Sequence, residues 1–229
     1  MSGTMTLDVE TVGLVDSPAG QMDARTLVAL DQAEDESPDA LSRFLALSPA
    51  LARVVCVGLW HHEKQRALAV MDASLAGVAE HPESGTAINA QDELETLGRL
   101  VDRLAETNPS RLVTFNGQSF DLPLLVNRMV AHGIKPPGLF AAALTQKPWE
   151  SGVHTGMRVR LGWGKAGRGT LREYAVGLLG VDPKAEGDGS HVAELVARKD
   201  ATALARYCVG DCRTTAALFE RWRSFGLPI

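Results

Sequence analysis

Four carboxylates and one phenol, spread over three short motifs, are the residues of this 229-residue chain whose types and spacing can do chemistry. Asp8 and Glu10 stand in Thr6-Leu7-Asp8-Val9-Glu10-Thr11. Asp121 ends Phe115-Asn116-Gly117-Gln118-Ser119-Phe120-Asp121, and Tyr207 and Asp211 bracket Tyr207-Cys208-Val209-Gly210-Asp211. Hard oxygen donors of this kind hold Mg²⁺ or Mn²⁺ together with water and phosphate oxygens. Two such ions about 4 Å apart activate a water and stabilise the leaving oxygen of a phosphodiester. Taken singly, each motif has a plainer explanation: a solvated strand face for Asp8 and Glu10, and a helix cap for Asp121. The chemistry requires that they meet.

The elements that must bring them together can be read from the chain. Residues 5–11 alternate and are rich in strand formers, so they predict a first strand. Asp8 and Glu10, two apart, then project from one face, where they repel each other unless a cation lies between them. Ser37-Pro38-Asp39 offers an N-cap for a short helix. Residues 53–60 and 65–71 predict two strands around a polar turn that holds His61 and His62. No third soft ligand at a recognisable spacing makes those histidines a metal pair. Apolar residues over 90–107 recur with helical period, and residues 111–115 predict the next strand. Asn116-Gly117 turns the chain, and Asp121 opens a helix to about residue 132, in a first turn that favours an anion. Thr170-Leu171-Arg172-Glu173 is a capping box for a helix that Gly180 ends, and a last long helix spans about 201–225. On that helix Tyr207 and Asp211 share a face.

Composition bounds the rest. The length suits one α/β domain over residues 1–229. No apolar run reaches the roughly 18 residues of a membrane span, and no basic segment precedes an apolar core at the N-terminus, so a cytoplasmic protein without a membrane partner is expected. Cys56, Cys208 and Cys212 fit no zinc spacing and are expected as small core residues in a reducing compartment. The net charge of −5 is unevenly placed: Lys147, Arg158, Arg160, Lys165, Arg168 and Arg172 face a lone acid, Glu150, within one stretch. Six glycines interleave there, so residues 148–169 are expected as a basic loop or extended hairpin. The GxGxxG pattern within it lacks a feeding strand and a βαβ unit, which excludes a dinucleotide fold.

In these motifs, and in Ser48-Pro49-Ala50-Leu51-Ala52-Arg53-Val54-Val55-Cys56-Val57-Gly58 and Asp188-Gly189-Ser190, the chain resembles the tyrosine-bearing DEDD exonucleases. It is most similar to the predicted 3′–5′ exonucleases related to the proofreading domain of family B DNA polymerases. The resemblance implies an α/β, RNase H-like fold whose central mixed five-stranded sheet is flanked by helices. It also implies a hydrolase that shortens 3′ ends of DNA, single-stranded by preference, with two Mg²⁺ or Mn²⁺ ions. Asp8, Glu10 and Asp211 would hold one ion, and Asp8 with Asp121 the other. Tyr207 and Glu10 would orient the attacking water. Thr11, Asn116 and Phe120 would cradle the terminal nucleotide, and Lys165 and Arg168 would track the backbone. Phe120 also fits a core position, and the basic loop also fits a solvated surface. Relatives often carry His-x-Asp-Leu before the helix that starts here at Leu171, where this chain has His154-Thr155-Gly156-Met157-Arg158. Two rivals follow: an exoribonuclease of the same fold, and a catalytically silent accessory protein that binds single strands. A separate polymerase or DNA-repair partner is compatible with all three.

Overall fold

A computed structural model describes residues 3–14, 42, 44–80, 85–163, 168–183 and 192–229. The Ser37-Pro38-Asp39 start of the expected short helix, the loop residue Lys165 and the Asp188 motif lie outside the described residues, while residues 42 and 44–46 are helical. Six strands form one mixed sheet: β1 (Thr4–Gly13), β2 (Ala52–His61), β3 (Arg66–Asp72), β4 (Gly85–Ala90), β5 (Arg111–Thr114) and β6 (His154–Gly156). Their order is β4-β3-β2-β1-β5-β6. β1 is antiparallel to β2, and β2 to β3, whereas the β3/β4, β1/β5 and β5/β6 pairs are parallel. The helices are α1 (Ala73–Ala76), α2 (Glu93–Thr107), α3 (Asp121–Ala131), α4 (Gly138–Thr145), α5 (Met157–Leu161), α6 (Leu171–Leu179), α7 (Val192–Ala197) and α8 (Ala201–Ser224).

Alternation along β1 sorts its side chains. Met5, Leu7 and Val9 join Val57 and Leu59 of β2 in a core under α2, α3 and α4. Thr6, Asp8 and Glu10 take the opposite face, beside Cys56 and Gly58 in the ladder. α8 packs on that second face, where Leu204, Ala205, Cys208 and Val209 meet Cys56, Ala67, Ala69 and Met71. Farther along α8, Leu218 and Phe219 close a third core with Val113, Met157, Leu161 and Leu171.

Local chemistry fixes the ends of these elements. Asp92 caps α2 by accepting from the Glu95 N–H, and Asn108 ends it in the left-handed region. The Thr170–Glu173 capping box forms as expected, with Gly180 at the far end. Glu93 fastens both sides of the first core. Its carboxylate accepts from the Val54 N–H, from Arg128 Nε at 2.9 Å and Nη2 at 2.5 Å, and lies 2.8 Å from His132 Nε2. All three cysteines are buried and free.

Two expectations need correction. The sheet has six strands, not five, because residues 148–169 are not one loop or hairpin. Residues 154–156 pair with β5 in parallel, and residues 157–161 turn into α5. Desolvation explains this: His154, Thr155, Met157 and Leu161 are all buried, so their backbone groups need partners despite the surrounding glycines.

Candidate active site

The acids are brought together where β1 outruns β5. The last β1/β5 pair is Thr6 with Val113, so the chain beyond it is released from that ladder. The Val9 N–H is thereby available, and it donates to the Asp121 carboxylate. Asp121 arrives there because β5 ends in a turn that only glycine permits. A Cβ on Gly117 would lie 2.2 Å from Thr114 Oγ1, which instead accepts the Gly117 N–H at 2.8 Å. The same Thr114 oxygen is 2.9 Å from His154 Nε2, so β6 braces the turn. Burial, reinforced by Arg160, pulls the pKa of His154 down to about 4 and keeps this brace neutral.

On the other side, α8 carries Tyr207 and Asp211 against β1. Gly58, the ladder partner of Asp8, allows this approach: a Cβ there would meet Cys212 Sγ at 2.8 Å, Cys208 Sγ at 2.9 Å and the Cys208 carbonyl oxygen at 3.1 Å. A ladder irregularity between Glu10 and Thr11 pairs them with Cys56 and Val54, so Val55 is extra. Such a bulge sharpens the local twist just where Glu10 points.

The electrostatics are those of carboxyl groups crowded together. Burial raises the Asp8 pKa well above the carboxylate range, and the charges of Glu10, Asp121 and Asp211 raise it further. Burial pushes Asp121 up to about 6, against the pull of its own N–H and that of Val9. Tyr207 is held far above the usual phenol range by burial, by Glu10, Asp211 and Asp8, and by the hydrogen bond it donates to Asp211. One ligand atom each from Asp8, Glu10 and Cys208 lie within 4.8 Å of one another. The Cys208 thiol donates to the Asp8 carbonyl oxygen at 3.7 Å, and burial raises its pKa, so it behaves as a core residue that happens to floor the site. A divalent cation fits this donor set, since it would neutralise carboxyl groups that burial leaves mutually repelling.

Two cavities flank the end of β1. One, of about 380 Å³, is lined by Asp8, Val9, Leu47, Phe115, Asn116, Ser119, Phe120 and Asp121. The other, of about 370 Å³, includes Glu10, Thr11, Ser42, Ala46, Leu47, Phe120 and Val192. Asn116 and Phe120 line the first cavity and Thr11 and Phe120 the second; Phe120 also packs on the first core, and the Thr11 hydroxyl donates to the Ala46 carbonyl. Arg168 lines neither cavity; its carbonyl accepts from the Tyr174 hydroxyl at 2.6 Å. Leu47 is a lining residue that the motifs do not reveal. It borders both cavities at 73 % exposure, and its only sequence signal is an apolar residue directly before Ser48-Pro49. His61 and His62 serve structure: His62 bridges Thr6 Oγ1 and Glu220 Oε1, each at 2.8 Å.

Comparison with known proteins gives the family. A family described as predicted 3′–5′ exonucleases related to the exonuclease domain of PolB matches residues 42–226. The chain belongs to that family. The matched span holds Asp121, Tyr207 and Asp211, while β1 with Asp8 and Glu10 precedes it. A further similarity is to the catalytic polypeptide of DNA polymerase epsilon from Saccharomyces cerevisiae, 36 % identical over 55 residues. That match covers 24 % of this chain and 2 % of the yeast protein. No helix among the described residues is long and apolar enough to cross a membrane.

Proposed function

We propose that this family member hydrolyses the 3′-terminal phosphodiester of single-stranded DNA as a tyrosine-bearing DEDD exonuclease. One observation carries the proposal: Asp8, Glu10, Asp121 and Asp211 act on one another at the end of β1, beside a cavity, with Tyr207 hydrogen-bonded to Asp211. Asp8, Glu10 and Asp211 would hold one Mg²⁺ or Mn²⁺ ion, and Asp8 with Asp121 a second. Bound there, the ions would supply an activated water and neutralise charge on the phosphate.

The protein side of the reaction follows from the environments. Tyr207 stays a neutral phenol at working pH, so it orients water by hydrogen bonding rather than as a base. Glu10, two residues from Asp8 on the same strand face, shares that task. The water oxygen forms a bond to phosphorus while the bond to the 3′-oxygen of the preceding nucleotide breaks. That oxygen takes up a proton, and a nucleoside 5′-monophosphate leaves. Asn116, Ser119 and Phe120 line the cavity that would receive its sugar and base.

The test is digestion of a 5′-labelled single-stranded DNA with Mn²⁺, beside Asp8→Ala and a chelator control. A ladder of 3′-shortened products that both controls abolish is expected. Shortening of matched RNA alone would replace DNA with RNA as substrate. Folded protein that shortens neither strand would refute hydrolysis and favour a silent single-strand binder.

A further inference from the structure

Trp222 packs at the edge of the third core, far along α8 from the acids, and Trp163 lies against it. Trp163 and Trp222 pair with ring centroids 5.5 Å apart. Trp163 is 72 % exposed and sits at φ 55°, a left-handed conformation that side chains other than glycine rarely adopt. Its N–H donates to the Arg160 carbonyl at 3.1 Å. The buried Arg160 guanidinium in turn donates to the carbonyls of Trp149 and Glu150, both at 2.7 Å, while its Nε is buried without a partner among the described residues. Trp149 itself is 58 % exposed.

The surroundings are cationic. Arg111 donates to Thr155 Oγ1 at 3.2 Å, and the charges felt by Arg111 and Arg160 among the described residues come from other arginines: Arg223 acts on Arg111, and Arg111 on Arg160. Of these three, Arg223 has a carboxylate partner, Glu220. Trp222 is half-buried and its Nε1–H donates to the Pro228 carbonyl at 2.8 Å, so Trp163 offers the open ring of the pair. An exposed indole beside guanidinium groups short of anions binds single strands through stacking on any base and attraction to phosphates.

We propose that Trp163 and Trp222 form a stacking platform for the unpaired strand upstream of the cleaved nucleotide. Arg111 and Arg223 would meet its phosphates, with buried Arg160 adding charge behind them. This rests on the strand hydrolysis proposed above. Aromatic side chains link the two places: Phe115 lines the Asp8–Asp121 cavity, and its ring lies 6.2 Å from that of Tyr174, which packs in the same cluster as Trp222. Asp211 and Trp222 are eleven residues apart on α8, hence about 16 Å along its axis; buried Thr215 and Leu218 close the helix face between them, so the strand would pass outside it, over Phe115 and Tyr174. At about 3.4 Å per stacked nucleotide, that gap holds about five nucleotides.

The experiment measures binding of fluorescein-labelled oligothymidylates of 3 to 10 nucleotides by anisotropy, in the Asp8→Ala background with Mn²⁺. Affinity should climb with length up to about six nucleotides and then level off. Adding Trp163→Ala should reduce the ratio of octamer to trimer affinity roughly tenfold, a loss typical of one stacked base. Tryptophan fluorescence should be quenched by the octamer and far less by the trimer. An unchanged affinity ratio in Trp163→Ala, with the wild-type protein digesting DNA normally, overturns the platform and leaves these indoles to a protein partner. Failure of every length to bind, with no digestion, instead overturns the underlying function.

Discussion

Replacing Gly58 with alanine tests whether the helix carrying Tyr207 and Asp211 is seated on β2 as closely as the site requires. The added methyl would find two thiols and a carbonyl oxygen at 2.8, 2.9 and 3.1 Å, all on α8 and all buried. Gly58 does not need a left-handed backbone, so the penalty is steric. Over-packing of this kind costs about 1–3 kcal/mol. For a chain of this length each kcal/mol lowers Tm by about 2–4 °C, so a drop of roughly 2–12 °C is expected in chelator. The same displacement moves Asp211 away from Asp8, so the stabilisation gained on adding Mn²⁺ should shrink as well. Cys212→Ala removes the nearest obstacle but leaves the Cys208 carbonyl. In the double variant the loss should therefore be smaller than the sum of the two single losses by about 0.5–3 kcal/mol. Thermal unfolding of the wild type, both singles and the double measures this coupling. A Gly58→Ala protein that melts with the wild type, or strictly additive losses, would refute the close seating.

Other perturbations address the acids and their supports. In chelator, stability should fall as pH rises from about 4 through about 6, by about 3 kcal/mol from Asp121. Its folded-state pKa is raised to about 6, so the native state holds the extra proton. The difference between wild-type and Asp121→Asn unfolding curves isolates this slope from the opposite one of His154, whose depressed pKa costs stability as pH falls toward 4. Mn²⁺ should flatten the Asp121 slope, and a wild-type curve parallel to that of Asp121→Asn would disprove it. Asp8→Asn should raise Tm in chelator while abolishing both the Mn²⁺ gain and hydrolysis, because it removes a half-buried carboxyl group repelled by its neighbours. Tyr207→Phe should cut the rate by one to three orders of magnitude while retaining the Mn²⁺ gain, and the wild-type rate profile should show no phenol inflection below pH 10. Glu93→Ala should cost about 3–5 kcal/mol in urea unfolding, since it strands Arg128 and the Val54 N–H in the core.

The acids are legible in sequence because each belongs to a local pattern. The period-2 alternation of β1 puts Asp8 and Glu10 on one face, and the four-residue spacing on α8 puts Tyr207 beside Asp211. Their meeting is not legible, since it depends on Gly58 and Gly117, whose roles arise from atoms distant in the chain. β4 is only partly buried and reads Gly-Thr-Ala-Ile-Asn-Ala, too weakly apolar to announce a strand. β6 has three residues and sits among glycines, so composition argues for a loop while burial makes a strand. In α2 the periodic stripe is right for Leu97, Leu100 and Leu104 but overreaches at Leu94, which is 46 % exposed. α4 follows Pro136-Pro137 without a side-chain cap and gives no start signal to read.

Placing two of the proposed ion ligands on β1 has a consequence for motion. This strand is bonded to β2 along its length and to β5 at its start; Met5, Leu7 and Val9 are buried under α2 and α3, and α7 and α8 pack on the other side. Such a strand exchanges its amide hydrogens only when large parts of the fold open together. Asp8 and Glu10 are thus denied the small local escapes by which a loop would relax their repulsion. The strain is spread over the whole cooperative unit, and any ion that relieves it tightens that unit as a whole.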